Sequence, residues 1–337
     1  VWSCVWQTAV SDPGTLAAKL RVADRQAVAE ALNLIDDQRP ATRAKALELL
    51  AALEAERLAN DGHLIGITGP PGAGKSSLLS ALIDYWCAKG LKVAVLAVDP
   101  SSPKTGGALL GDRLRMTGAG QHKNLFIRSL ASRQQLGGLA AEVWPMSRIL
   151  LAGYDIVLIE TVGVGQSEVD VASMVDTTAY VVQPASGDSI QFIKSGIMEV
   201  PDIMVVNKAD LGAPAIKAAN DLHQVMRRST QDSDWKIPVC TLSARDRQGI
   251  DALVNALEAH RAHLVSMQSL TAGRTAQQGA WAIRQLQEEF GKSGVARLGG
   301  AAAIARDLDN QHDLGELLAS YNARAEHLRT STKAWPT

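Results

Sequence analysis

Cysteine is scarce, with three in 337 residues, Cys4, Cys87 and Cys240, odd in number and far apart. That pattern excludes a disulfide framework and a cysteine-built zinc site, and fits reduced thiols. An excess of charge is also missing: 34 Lys+Arg stand against 35 Asp+Glu, a formal net charge of −1, and no nucleic-acid partner is expected without a basic surplus. No apolar run reaches roughly 18 residues, and the opening segment has no basic stretch followed by a small-residue cleavage site. Neither a membrane span nor a signal peptide is expected, and the location expected is cytoplasmic. Fixed-period repeats and low-complexity tracts are absent too. What is present is 46% hydrophobic content, enough for a large core in one extended domain or two domains.

Three zones separate by pattern. In the first, Val28, Leu32 and Ile35, then Ala46, Leu49, Leu50 and Leu53, recur at three- and four-residue spacing with a break at Arg39–Pro40, which predicts two amphipathic helices. The middle zone carries short apolar runs at Leu64–Thr68, Val93–Val98, Asp155–Ile159, Ala179–Val182, Ile203–Val206 and Ile237–Thr241. Runs this short, rich in β-branched residues and apolar on both faces, predict parallel strands covered by helices, an α/β doubly wound sheet. The last zone reads as helices interrupted around Gly291–Gly294 and Gly299–Gly300. The expected organisation is an N-terminal helical extension (1–60), a nucleotide-binding domain (61–265) and a C-terminal helical arm (266–337).

Gly69-Pro70-Pro71-Gly72-Ala73-Gly74-Lys75-Ser76 fits GxxxxGK[ST] between an expected strand and an expected helix, with Ser77 next. Glycines let the backbone wrap a polyphosphate with its amides inward, and the helix N-terminus adds partial positive charge. Lys75 is expected to reach the β- and γ-phosphates and Ser76 to place its hydroxyl on Mg²⁺. Asn207-Lys208-Ala209-Asp210 follows a later strand. A carboxylate at Asp210 can accept from guanine N1–H and its 2-amino group, a donor pair adenine lacks, so guanine is the expected base. Lys208 can lay its stem on the base plane, Asn207 can tie its loop to the phosphate loop, and an amide at Ser243-Ala244 can donate to guanine O6.

Asp99 ends the run Val93–Val98, where an acid beside the phosphate loop is placed to hold Mg²⁺. Asp112 stands in a Gly-flanked loop able to close on the nucleotide. Glu160-Thr-Val-Gly163 has the form DxxG with glutamate replacing aspartate. Glu160 is expected to orient a Mg²⁺-bound water, and the Gly163 amide to sense the γ-phosphate. Val164 follows Gly163, where Ras-like enzymes carry a water-orienting glutamine, so slow intrinsic hydrolysis is expected.

Together GPPGAGKSS, VDPSSPKTGGALLGDRLRM, FIRSLASR, ETVGVGQSE, SGDSIQFIKSGIMEVPDI and NKAD resemble the MeaB/ArgK/MMAA family of P-loop GTPases. The likeness covers about residues 60 to 265. It implies a GTP-hydrolysing metallochaperone that gates delivery of adenosylcobalamin, from a cobalamin adenosyltransferase, to an adenosylcobalamin-dependent acyl-CoA mutase, and protects or reactivates that mutase. It also implies a homodimer made by the C-terminal helices, low basal turnover raised by the partner, and a switch-loop role for Lys194. Gly187-Asp188-Ser189-Ile190-Gln191-Phe192 departs from the family's usual Gly-Asp-Glu-Leu-Gln-Gly. The client can therefore be methylmalonyl-CoA mutase or a related isobutyryl- or hydroxyisobutyryl-CoA enzyme.

Other features carry less. Asn310-Gln-His312-Asp-Leu-Gly315 only partly matches a cobalt-binding DxHxxG loop, and His260-Arg-Ala-His263 reads as a solvated helix face. Trp281, Ile283, Leu286 and Phe290 give the tail an apolar stripe suited to a partner helix. The first ten residues match no known motif. A kinase acting on a small molecule or protein, and a GTP-dependent scaffold, are the competing functions.

Overall fold

The computed structural model describes residues 11–37, 39–59, 61–99, 122–131, 141–161, 167–184, 201–229, 234–310 and 314–331. Within these, β1 (His63–Thr68), β2 (Val93–Asp99), β3 (Leu125–Ala131), β4 (Ile156–Glu160), β5 (Thr177–Val182), β6 (Ile203–Val206) and β7 (Val239–Thr241) form one sheet in the order β3-β2-β4-β1-β5-β6-β7. Every pairing is parallel. Strands β2 to β4 lie on one side of β1 and β5 to β7 on the other. The chain thus reverses its direction of growth at β1, the place where doubly wound sheets open a crevice at their strand C-termini.

Helices on both faces explain why β1, β4, β5 and β6 are buried throughout. On one face Ile65, Ile67, Val181 and Val205 pack with Leu78 and Leu82 of helix Lys75–Ala88 and with Leu253 and Leu257 of helix Ile250–Ser266. On the other, Tyr180, Val182, Met204 and Val206 pack with Ala215, Leu222 and Met226 of helix Ala213–Ser229. Alternate residues of β5 therefore enter opposite cores, the period-two rule applied to a strand covered on both sides. Gly66 is required by that packing, since a Cβ there would stand 2.8 Å from Val171 Cγ2.

Strand β3 was not among the expected runs. Among the described residues it pairs only with β2, at the edge of the sheet. Strand β7 begins at Val239 rather than Ile237, because Pro238 has no N–H to give a ladder. Its carbonyl still accepts from Met204 N at 2.9 Å.

Two compact units result: residues 58–147 with 154–278, which hold the sheet, and residues up to 57 with 148–153 and 279 onward. In the second, helices Pro13–Arg21 and Arg25–Asp36 are capped by Asp12 and Asp24, which accept from Thr15 N (3.2 Å) and Ala27 N (2.8 Å). Helix Pro40–Ala52 starts with proline, whose fixed φ suits a first turn. Val28, Leu32, Ile35, Ala46, Leu49, Leu50 and Leu53 are buried, as their spacing predicts. Helix Ser269–Arg297 breaks its helical geometry at Gly291 (φ 71°, ψ 168°). Trp281, Leu286 and Phe290 are buried within the single chain, so they do not form the exposed stripe expected of a partner-facing helix. No helix of the described residues is long and apolar enough to cross a membrane.

Candidate functional site

The phosphate loop leaves β1 at Thr68 and enters helix Lys75–Ala88 through three glycines with positive φ: Gly69 (137°), Gly72 (79°) and Gly74 (88°). A Cβ on Gly69 would stand 2.1 Å from Val181 O, and one on Gly74 2.4 Å from Asn207 Nδ2. Glycine is thus demanded twice over, by backbone geometry and by close approach. The turn between them is closed by Ala73 N donating to Pro70 O at 3.3 Å, with Pro71 at its exposed crest. The buried Lys75 ammonium donates to Gly69 O (2.8 Å) and Pro70 O (3.1 Å). It therefore sits inside the loop, where it concentrates positive charge. Ser77 is exposed.

Beside the loop, the parallel register sets Glu160 of β4 against Ile67 of β1 and Ala97 of β2. Ser76 Oγ donates to Glu160 Oε1 at 2.7 Å. Thr68 and Thr161 hydroxyls meet at 2.8 Å and Thr161 N donates to Ile67 O at 3.2 Å, which fixes the direction in which the chain leaves β4. Asp99 closes β2 at the same edge of the sheet. Its side chain, and Asp112, Gly163 and Lys194 entirely, lie outside the described residues, as do the first ten residues and His312.

Opposite, Asn207 follows β6 and holds three loops with one buried carboxamide. Its Nδ2 donates to Ala73 O (2.9 Å) and Gly74 O (3.3 Å) of the phosphate loop. Its Oδ1 accepts from Lys208 N (2.7 Å) and Ala244 N (3.1 Å). Lys208 takes the left-handed conformation (φ 60°, ψ 42°) and donates from Nζ to Gln183 Oε1 at 2.9 Å. Asp210 accepts from Ser243 Oγ at Oδ1 (2.9 Å) and pairs with Arg245 Nη2 at Oδ2 (3.1 Å). An ionised carboxylate has about four lone-pair sites, so acceptor capacity is left for a base edge.

The Ser243 amide donates to Gln248 O (3.0 Å), within its own loop, and the Ala244 amide donates to Asn207 Oδ1 (3.1 Å), which ties that loop to the base loop. Sequence reasoning missed Gln183 and Arg245. Their signal was positional, since each follows closely on a strand at the C-terminal edge, where these sheets bind ligands.

His260 departs further from its reading as a solvated residue, being buried. Thr177 Oγ1 lies 2.7 Å from His63 Nε2 and 2.8 Å from His260 Nδ1, and His260 Nε2 lies 3.4 Å from Asp202 Oδ1. The Trp235 ring stands 4.8 Å from that of His260 and 5.3 Å from that of His263. Burial holds the pKa of His63 down to about 3 and that of His260 to about 4. It pushes Asp202 up to about 6, against the hydrogen bond from Thr178 N. This chain lies at the strand N-termini, away from the phosphate loop. Among the described residues no group of three or more His, Cys, Asp or Glu is arranged to hold a metal ion.

A family model described as methylmalonyl-CoA mutase-associated GTPase MeaB matches residues 28–297. The chain belongs to the MeaB family. A relative from Mycobacterium tuberculosis, named a probable GTPase, is 42% identical over 270 residues, 79% of this chain and 80% of its own length. The mouse methylmalonic aciduria type A homolog, a mitochondrial protein, is 36% identical over 78% of this chain and 66% of its own length. A solved structure named as a LAO/AO transport system kinase superposes with a TM-score of 0.67 at 28% identity, covering 92% of this chain and 97% of that one. Like its MeaB-family relatives, the chain is a GTPase with the P-loop fold, and its loop, Glu160 and Asn207-Lys208-Ala209-Asp210 are the parts that meet at one edge of the sheet.

Proposed function

We propose that this MeaB-family GTPase is a chaperone of an adenosylcobalamin-dependent acyl-CoA mutase. In this role GTP binding and hydrolysis gate delivery of adenosylcobalamin to the mutase and its protection or reactivation. The client is methylmalonyl-CoA mutase or a related isobutyryl- or hydroxyisobutyryl-CoA enzyme, with a cobalamin adenosyltransferase as donor and the cytoplasm as the place of action. The family match, described as mutase-associated over residues 28–297, carries the choice of client. The union of phosphate loop, Glu160 and base loop through Ser76 and Asn207 carries the nucleotide.

In this reading Lys75 and the backbone N–H groups of Gly72 to Ser77 hold the phosphates, and the Asp210 carboxylate reads the guanine edge. The Ser76 hydroxyl and Glu160 carboxylate are hard oxygen donors brought together beside Lys75, a donor set that suits Mg²⁺. Asp99 and Asp112 are the further acids assigned to that ion. Bound there, Mg²⁺ would neutralise charge between the β- and γ-phosphates. Gly163 and Lys194 are assigned to the switch loops, whose ordering by the γ-phosphate would set affinity for the mutase. Pairing of two copies through the helices beyond residue 266 is part of the proposal on family grounds, since Trp281, Leu286 and Phe290 are already buried within one chain.

The test is the affinity of the chain for candidate acyl-CoA mutases, measured by calorimetry with GDP and with a non-hydrolysable GTP analogue. A mutase bound with an affinity that differs between the two nucleotides supports the chaperone. Absence of binding to every acyl-CoA mutase, with phosphate instead appearing on an acceptor, would favour the kinase suggested by the name of the solved relative.

A further inference from the structure

We infer that Gln183 is a positioning residue that holds Lys208 against the nucleotide base, a role resting on the guanine-nucleotide reading above. Gln183 is the first residue after β5, and its side-chain carbonyl accepts from Lys208 Nζ at 2.9 Å. The same oxygen is the nearest atom to a Cβ built on Gly72, at 3.8 Å. The carboxamide thus stands between the crest of the phosphate loop and the lysine ammonium.

The other end of that lysine is fixed as well. Its backbone is left-handed (φ 60°, ψ 42°), its N–H is bound by Asn207 Oδ1 at 2.7 Å, and the next residue's N–H by Leu242 O at 3.0 Å. A lysine stem is flexible and commonly roams in water. Here it is pinned at both ends, so the aliphatic part is stretched from the base loop toward the phosphate loop. That is the path a stem must take to lie flat against a base whose edge is read by Asp210 and whose phosphates are held by Lys75. A neutral acceptor suits the task, because it anchors the ammonium by a charge-assisted hydrogen bond and leaves its positive charge uncancelled. Nothing in the usual phosphate-loop or NKxD patterns calls for a glutamine at this place.

The experiment is a double-mutant cycle on the full chain, with dissociation constants for GDP and IDP measured for Gln183→Leu, Lys208→Ala, the pair together, Gln183→Glu and Asp210→Ala. Gln183→Leu is expected to weaken GDP and IDP equally, by roughly three- to ten-fold, because a stem on the base plane does not sense the 2-amino group. The double variant should be no weaker than Lys208→Ala alone, and Gln183→Glu, which keeps the acceptor but cancels the ammonium's charge, should also bind GDP and IDP less tightly than the wild type. Additive losses, unchanged binding in Gln183→Leu, or a Gln183→Glu variant that binds as tightly as the wild type would each overturn the inference. Asp210→Ala separates the two levels. If it leaves the preference for GDP over IDP intact, the guanine reading itself fails; if it removes that preference while the Gln183 cycle is additive, only the positioning role fails.

Discussion

Ser76 Oγ donates to Glu160 Oε1 at 2.7 Å, joining the first turn of the helix after the phosphate loop to the last residue of β4. The two residues are 84 positions apart in the chain and meet because β4 inserts beside β1. Glu160→Gln keeps the size and an acceptor for Ser76 but removes the charge. It should leave GDP binding within a few-fold while lowering GTP turnover by about 100-fold or more, read as phosphate release across a Mg²⁺ titration. Unchanged turnover would remove Glu160 from the site.

Gly74 and Gly90 both have positive φ, 88° and 83°, but only Gly74 faces a neighbour, with Asn207 Nδ2 at 2.4 Å from an added Cβ. Gly90→Ala should cost only the backbone strain, about 1 kcal/mol, and leave nucleotide binding intact. Gly74→Ala should add the displacement of the Asn207 amide, lowering the melting temperature further and abolishing GDP binding. Equal behaviour of the two variants would show that the Asn207 contact is dispensable.

Asp210 accepts from Ser243 and pairs with Arg245, which together orient its carboxylate at the rim of the base loop. Replacing it with Ala should cost guanine nucleotides about 1–3 kcal/mol, roughly 5- to 150-fold in affinity, with a smaller loss for inosine nucleotides, which keep N1–H but lack the 2-amino group. Competition binding checks this directly.

Acid should destabilise the fold through the buried histidines, and the sign follows from their depressed pKa values. His63 (about 3) and His260 (about 4) resist protonation when folded, whereas unfolded histidine titrates near about 6.5. Their contribution is fully present above the unfolded value and is lost as pH falls below it. Asp202 opposes this, because its folded pKa of about 6 exceeds the roughly 3.9 of unfolded aspartate. Between pH about 6 and 4 the unfolded chain takes up two histidine protons against one bound by folded Asp202. Stability from these groups should therefore fall by about 1.4 kcal/mol per pH unit. His63→Asn should flatten the slope by about one proton in urea titrations at several pH values, and an unaltered slope would contradict it.

Arg274 and Asp176 form a fully buried fork: Nε and Nη2 donate to the two carboxylate oxygens at 2.9 and 2.7 Å, and Nη2 also donates to Gly62 O at 2.8 Å. Arg274→Ala should cost about 3–5 kcal/mol by leaving a buried carboxylate uncompensated. A paired apolar replacement should recover only part of this, because Leu64 N also donates to Asp176 at 2.9 Å and would be orphaned. Thermal melts of the single and double variants decide the point.

The buried strands were legible because helices cover both faces, so β1, β4, β5 and β6 read as continuous apolar runs. β3 was not legible: Leu125-Phe-Ile-Arg-Ser-Leu-Ala places Arg128 and Ser129 mid-strand, and an edge strand with one neighbour tolerates both. The phosphate loop and NKxD could be read because their chemistry depends on residues contiguous in sequence. Gln183 and Arg245 escaped because their roles arise only when loops from different strands converge. His260 misled for a related reason: its spacing with His263 gives a helix face, but not the fact that Thr177, Asp202 and Trp235 cover that face.

The most direct test of the account is steady-state hydrolysis of GTP and of ATP by the purified chain, alone and with candidate acyl-CoA mutases, with Glu160→Gln as control. Slow turnover of GTP and not ATP, acceleration by one mutase, and loss of that acceleration in the variant are expected. ATP turnover equal to that of GTP, or a GTP rate that no mutase changes, would contradict the proposed function.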